Sequence, residues 1–371
     1  MNDNSTPPSQ TPSDWGFDTQ YIVCNQCGWG YVLPQGVQAQ RCPHCYQSEL
    51  ESLGASHASD ENKLANTAPP ELVIPHALSA EQLSSRVEAF GRGIPFAPTD
   101  LTPAYLAQRL KRIFLPVWLV DTSVRATWQF EAGFNYQVVS HQERFSDTAG
   151  GWKTQELQET RIRWEPRLGK LERTYPNIPV PALEEHRALR TTLGDFDQSA
   201  SQPYQPEAVS QSFVRLPDRS QEDAWSDAIP ALQAAAAREC QAAVGADHQR
   251  DFRWSPEYTQ RNWTLLLVPV FTTYYLDDDK KPQPVYVNGQ TGQTSGMRRA
   301  SMKRAQRTTL VILAVALVLF LISAALALAG VAVPVLLPVG GVGALIAILV
   351  ALGAIIPLGL AWQFNRSSPA L

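Results

Sequence analysis

At 371 residues with a formal charge of −4, the chain is long enough for two or three domains and is mildly acidic. That balance argues against a nucleic-acid binder, which needs a basic domain or stripe. Five cysteines make an odd count, and four of them fall in two Cys-x2-Cys pairs, Cys24/Cys27 and Cys42/Cys45. This is metal-ligand arithmetic and not a disulfide framework.

Residues 1–20 are rich in Asn, Ser, Thr, Pro and Gln and predict a disordered arm without the features of a cleavable signal peptide. Residues 21–46 are the metal module. Zinc takes four thiolates tetrahedrally at about 2.3 Å, and a two-residue gap lets a tight turn aim both sulfurs at one ion. Gly28 permits such a turn, Tyr31–Leu33 is the expected strand, and the stretch between the pairs has room for a short hairpin. Four cysteines saturate one structural Zn2+, which is expected to fold the module and perform no chemistry. His44 is surplus to the ligand set and reads as a surface residue. Trp29, Tyr31 and Tyr46 form either a contact patch or the small core of the module. The single cation between Tyr21 and Leu50 is Arg41, too few for gripping phosphates.

Residues 47–70 read as a linker, and 71–297 as an α+β cytoplasmic body. Ser79, with Gln82 three residues on, caps a helix carrying Leu83, Val87 and Phe90. Thr102 followed by Pro103 opens a second helix. Short strands are expected at Val117–Val120, Ala126–Phe130 and Tyr136–Val139. Residues 176–222 resemble surface connections. A helix over 221–244 places Trp225, Ile229, Leu232, Ala236 and Cys240 on one apolar face, which makes Cys240 a small buried hydrophobe. A strand from Leu265 to Leu276 turns at Asp277–Lys281 and returns through Val285–Val287 to a tight Asn288-Gly289 hairpin. The Asp277–Asp279 triplet, beside Lys280 and Lys281, reads as a solvated turn. Leu115-Pro116-Val117-Trp118 and Val268-Pro269-Val270-Phe271 echo each other and suggest a duplicated helix-sheet unit, each motif opening a strand.

Residues 308–362 contain no Asp, Glu, Lys, Arg or His. Two membrane helices fit there, Thr309–Gly330 and Gly341–Trp362, with Pro334, Pro338 and Gly340 breaking between them and Pro357 kinking the second. The basic segment 298–307, with Arg298, Arg299, Lys303, Arg304 and Arg307, places that end in the cytoplasm by the positive-inside rule and offers cations to lipid headgroups. A hairpin then returns the tail 363–371 to the same side. The expectation is a multi-pass inner-membrane protein with both termini cytoplasmic. Polar residues suited to ion or proton relay are missing from the helices, so the block reads as an anchor.

Catalytic motifs for acyl transfer, phosphate binding, metalloprotease chemistry or dinucleotide binding do not occur. His141-Gln142-Glu143 matches half of the zinc-deaminase pattern, but it follows the cysteines, and that order is wrong. The chain is expected not to be an enzyme.

The double Cys-x2-Cys, Pro70-Glu71-Leu72-Val73-Ile74-Pro75, Leu115-Pro116-Val117-Trp118, and Val287-Asn288-Gly289-Gln290-Thr291-Gly292 before a membrane tail together carry a resemblance. The chain resembles bacterial membrane proteins with an N-terminal TFIIB-like zinc ribbon, some labelled as relatives of primosomal protein N-prime. The four cysteines match that group's ligand positions, and no catalytic residue is implied. Helicase activity does not carry over, because the chain has no ATP-binding motif. The resemblance implies a membrane scaffold for protein partners, some of the envelope-stress kind. The expected function is therefore a zinc-ribbon adaptor recruiting a cytoplasmic protein to the membrane, with homo-oligomers an open option. The alternative is a membrane-tethered nucleic-acid binder.

Overall fold

The computed structural model describes residues 15–34, 41–52, 68–146, 151–331 and 333–367. Most of the expected arm and linker, and the last residues of the tail, lie outside them. The elements begin with β1 (Thr19–Val23), β2 (Gly30–Pro34), β3 (Glu51–Ser52), β4 (Leu72–Val73), α1 (Ala80–Gly91) and α2 (Pro103–Gln108). Two long strands follow, β5 (Lys111–Ser146) and β6 (Gly151–Pro181), then α3 (His186–Leu193), β7 (Gln202–Pro203), α4 (Pro206–Val209) and β8 (Phe213–Arg215). The chain continues with α5 (Gln221–Val244), β9 (His248–Leu276), β10 (Pro282–Asn288), β11 (Thr294–Gly296), α6 (Met302–Ala329), α7 (Leu336–Gly353) and α8 (Ile356–Ser367). They form two compact units. The first takes Met1–Pro116, Glu185–Pro217 and Leu266–Leu371, the second Val117–Glu184 and Asp218–Leu265.

In the first unit, β1 pairs antiparallel with both β2 and β3, and β2 passes the ladder to β8, which pairs in parallel with the start of β5. The cysteine segment is thus stitched by strand pairing into the unit that also holds the first helices and the C-terminal block. The arm ends earlier than expected: Trp15 is buried beside Phe17 and Tyr204, an indole too apolar to leave in water. Both predicted helix starts are realised, with a full capping box at Ser79 and Thr102 accepting from the Tyr105 amide. Leu83, Val87 and Phe90 bury against Leu106, Phe271 and Tyr275.

β10 pairs with β9 and β11, but the Asn288-Gly289 turn is not a two-residue hairpin. The Asn288 side chain accepts from the amides of Gln290 and Thr291, and the residue with positive φ is Gly292. An Asx turn therefore replaces the tight turn. The sequence echo does not open a strand twice either: Pro116 lies near the start of β5 and Pro269 near the end of β9.

The second unit is dominated by β5 and β6, paired in register from Val117↔Pro181 to Ser146↔Gly151 with one irregularity at Val120/Thr122. Three short strands were expected where one long strand runs. The segment from 176 is no simple surface connection: β6 continues through Pro176 and Pro179 to Pro181. Such prolines are tolerated where the missing N–H faces an open edge, and β5 is the one strand paired with β6 among the described residues. α5 starts from a Ser220/Asp223 capping box and buries Ala224, Ala228, Leu232, Ala236 and Cys240. The buried stripe begins one residue earlier than expected. Alanines let the helix approach closely, while Trp225 turns aside to meet Tyr258 and Trp263. Cys240 sits with Phe130 and Ala132, and burial pushes its thiol up to about 11.

Two C-terminal helical segments are long and apolar enough to span a membrane, α6 and the α7–α8 pair. The 28 residues of α6 reach about 42 Å. α7 lies against α6 through small residues: a Cβ on Gly340 would stand 2.6 Å from the Ala327 amide nitrogen, and one on Gly343 2.4 Å from Ser323 Oγ. The helix break falls at Ala354–Ile355, just before Pro357, and Thr309 Oγ1 donates to the Ala354 carbonyl at 2.9 Å. Asn365 closes the hairpin by accepting from the Ala300 amide (2.7 Å) and donating to its carbonyl (3.1 Å). The end of α8 thereby returns to the start of α6, where Leu358, Ala361 and Phe364 join the core around Phe90.

Candidate metal centre

Local backbone geometry builds the two cysteine turns. The first pair sits where β1 passes into β2: the Cys24 amide donates to the Trp29 carbonyl (2.9 Å), the Gly28 amide to the Cys24 carbonyl (2.8 Å), and Gly28 takes φ +72°. The second pair repeats the scheme, with Cys42 N–H to Ser48 O (3.0 Å), Tyr46 N–H to Cys42 O (3.1 Å), and an Arg41↔Glu49 bridge at its base.

These turns bring Cys24 Sγ to 3.6 Å from Cys45 Sγ, and Cys27 Sγ to 3.7 Å from Cys42 Sγ. All four sulfurs lie within 4.8 Å of one another and all are free thiols. A tetrahedral ion with bonds of about 2.3 Å separates its sulfurs by about 3.8 Å, so the four residues are close enough to hold a metal ion.

Cys42 is the best-supported of the four. The Tyr31 hydroxyl stands 3.4 Å from its sulfur, and the His44 amide donates to it at 3.4 Å. Donation from Cys27, then from Tyr31 and the amides of Cys45 and His44, holds the Cys42 thiol down at about 4 against the opposing effect of burial. Cys27, its hydrogen-bond partner, is pushed up by that pairing and by burial. Burial likewise raises Cys45 and keeps Tyr31 protonated.

Around this centre the aromatic residues are core and not contact patch: Trp29, Tyr31 and Tyr46 are each at most 3% exposed. Tyr31 meets Phe213 edge-on, and Tyr46 lies against Tyr274 and exchanges a 2.8 Å hydrogen bond with Thr272 Oγ1. Thr272 in turn donates to the Pro43 carbonyl (2.9 Å), and Lys111 Nζ to the Arg41 carbonyl (2.8 Å). His44 is not the surface residue expected. Its ring stacks on Trp29 at 3.8 Å and 9°, and Nε2 lies 3.8 Å from a Glu185 oxygen. Burial lowers its pKa. Arg215 sits 4.7 Å over the other partner in this stack, Trp29, and donates to the carbonyls of Gly30 (3.3 Å) and Leu216 (2.8 Å).

Sequence reasoning found the ligands and missed their support, which comes from β5, β8 and β9 far along the chain. The stretch holding Phe213 and Arg215 carried no periodic signal beyond three apolar or long side chains among prolines and serines.

The five cations of segment 298–307 do not form a free cluster. Lys303 pairs with Asp279 (3.2 Å) and donates to the Asp278 carbonyl. Arg298 donates to the Arg92 carbonyl, Arg304 to Ala97 O (2.5 Å), and Arg299 contacts Met297 Sδ, while Arg307 is exposed. Among the described residues Lys303 is the one of the five in an ion pair with a carboxylate. The Asp277–Asp279 turn, expected to be merely solvated, instead meets the start of α6. Asp278 accepts from Ser301 Oγ (2.5 Å) and the Lys303 amide (2.9 Å), while Asp277 Oδ1 organises the turn by accepting from the amides of Asp279 and Lys281.

No family model, curated protein or solved structure matches this chain.

Proposed function

We propose that this protein is a membrane-anchored scaffold that holds a cytoplasmic protein partner at the bilayer, with a zinc ribbon as a structural brace. The chemistry of four thiolates on two turns suits Zn2+, a tetrahedral ion without redox chemistry, in a closed site with no position for water or substrate. Reduced thiolates and the arginines at the start of α6 favour a cytoplasmic placement of the first unit and of both helix-hairpin ends. Arginines without a carboxylate partner suit the phosphates of anionic lipids. The cation-poor ribbon and the burial of its aromatics lend the nucleic-acid alternative no support.

One observation carries the recruiting role, and it lies in the second unit. Register places Val139, Phe145, Trp152, Ile162 and Leu168 on one face of the β5–β6 hairpin, since odd residues of β5 pair with even residues of β6 over this stretch. All five are exposed, Trp152 by 71% and Leu168 by 82%. Exposed apolar lines of this kind mark protein-binding surfaces. The resemblance to membrane zinc-ribbon proteins points the same way, toward a partner of the envelope-stress kind. The test is crosslinking pull-down of full-length protein from native membranes, comparing wild type with Trp152→Ser/Leu168→Ser. Partners lost in the double variant support the scaffold. An unchanged partner set at equal protein level refutes this face as the recruiting surface.

A further inference from the structure

Four thiolates around one divalent ion carry a net charge of −2. Cys24 and Cys42 are fully buried, and a buried dianion is costly unless cations and hydrogen bonds face it. The ribbon's own sequence supplies only Arg41. Two more cations arrive from elsewhere in the first unit. Lys111 is held to the carbonyl of Arg41, immediately before Cys42, and its Nζ lies 5.2 Å over Phe213. Arg215 is 4% exposed and sits at the end of a stack, its guanidinium 4.7 Å over Trp29, which lies 3.8 Å from the His44 ring.

That stack joins the two cysteine turns. Trp29 closes the first by accepting from the Cys24 amide, and His44 lies inside the second, its amide donating to Cys42 Sγ. Arg215 NH1 also bonds Gly30 O, so the cation is tied to the strand leaving the first turn. A permanent cation suits a position that lies over an indole face and donates to carbonyls at once.

We infer that Arg215 is a positioning residue for the metal centre, balancing the negative charge of the loaded tetrathiolate and holding its two cysteine turns together; this rests on the reading of the four cysteines as a zinc site. Outer residues of this kind are worth about tenfold to a hundredfold in metal affinity.

The experiment uses full-length protein in detergent micelles, loaded with zinc, and follows release to a chromophoric chelator for wild type, Arg215→Met and Arg215→Lys. Circular dichroism of each variant monitors its fold, and the visible spectrum of the cobalt-substituted forms reports the tetrathiolate geometry. Arg215→Met is expected to release zinc about tenfold to a hundredfold faster. Arg215→Lys, which keeps the charge, should restore most of the retention. Release from Arg215→Met at the wild-type rate overturns the inference, as does Arg215→Lys behaving like Arg215→Met. If Arg215→Met does not fold, Arg215→Lys decides: near-wild-type release supports the inference, and release about tenfold faster overturns it. A wild-type protein that binds no zinc defeats the parent reading instead, which keeps the two failures apart.

Discussion

His76 should make the first unit lose stability in mild acid. Its ring stands edge-on to Phe114 (4.8 Å) and Phe271 (4.5 Å), and its Nε2 lies 3.4 Å from the Val270 carbonyl oxygen. Burial lowers its pKa to about 4, with Arg112 adding to that and the Val270 carbonyl opposing it. In the unfolded chain the value is about 6.5. Between those pH values the unfolded state binds more protons than the native state, so stability rises with pH in that window. The contribution is complete above pH 6.5 and is lost as pH falls toward 4. The difference between these two values corresponds to about 3 kcal/mol in full, of which about 2.5 kcal/mol is gone by pH 4.5. Urea unfolding of the detergent-solubilised protein, followed by tryptophan fluorescence, measures this from pH 7.5 to 4.5. His76→Leu is the reference, because the difference from wild type cancels other titrations. Wild type should lose about 2.5 kcal/mol more than His76→Leu across that range. A difference flat to within about 0.5 kcal/mol would show that the His76 ring protonates as readily in the folded protein as in the unfolded chain.

Thiol labelling separates the five cysteines: the metal-loaded protein should take up almost no maleimide, chelation should open the Cys24–Cys45 set, and Cys240, 3% exposed, should react only on unfolding, as read by intact mass. A Gly340→Val variant must push against the Ala327 and Ser323 backbone at 2.6–2.7 Å, so it should lower stability in detergent by about 1–3 kcal/mol. Gly341→Ala, whose Cβ meets nothing within 4 Å, should leave stability unchanged or raised; equal thermal midpoints for both variants would contradict the close helix packing. Asp278→Ala removes the acceptor for Ser301 and the Lys303 amide and should cost about 1 kcal/mol, visible as faster amide exchange in the first turn of α6.

Legibility in the sequence followed the range of the interactions. The capping box at Ser79, the Thr102-Pro103 start, the helix over 221–244, the spacing of the four cysteines and the uncharged C-terminal block act over a few residues, and each appears where it was expected. What depends on distant partners was unreadable. Arg215 lies in a stretch of prolines and serines and becomes significant only because β8 pairs with β2. Asp278 looked like a solvent charge because nothing nearby in sequence reveals that Ser301 and Lys303 approach it. The length of β5 was hidden for a different reason. Over Tyr136–Phe145 it alternates weakly and is exposed on both faces, so no buried pattern announces a strand, and cross-strand pairing with β6 alone maintains it.

That long hairpin also explains how an open edge coexists with an apolar face. β6 has a single strand neighbour among the described residues, and an unpaired edge of 31 residues invites indiscriminate strand addition. Pro166, Pro176, Pro179 and Pro181 each remove an N–H from β6, and Glu165 holds both Arg163 and Arg167 along one side. These features defend the edge against backbone pairing. They leave the face untouched, where Gly133 lets Ile162 and Trp164 pack closely and Leu168 stands clear. A hairpin guarded at its edge and open on its face disfavours strand addition while leaving its side chains available to solvent.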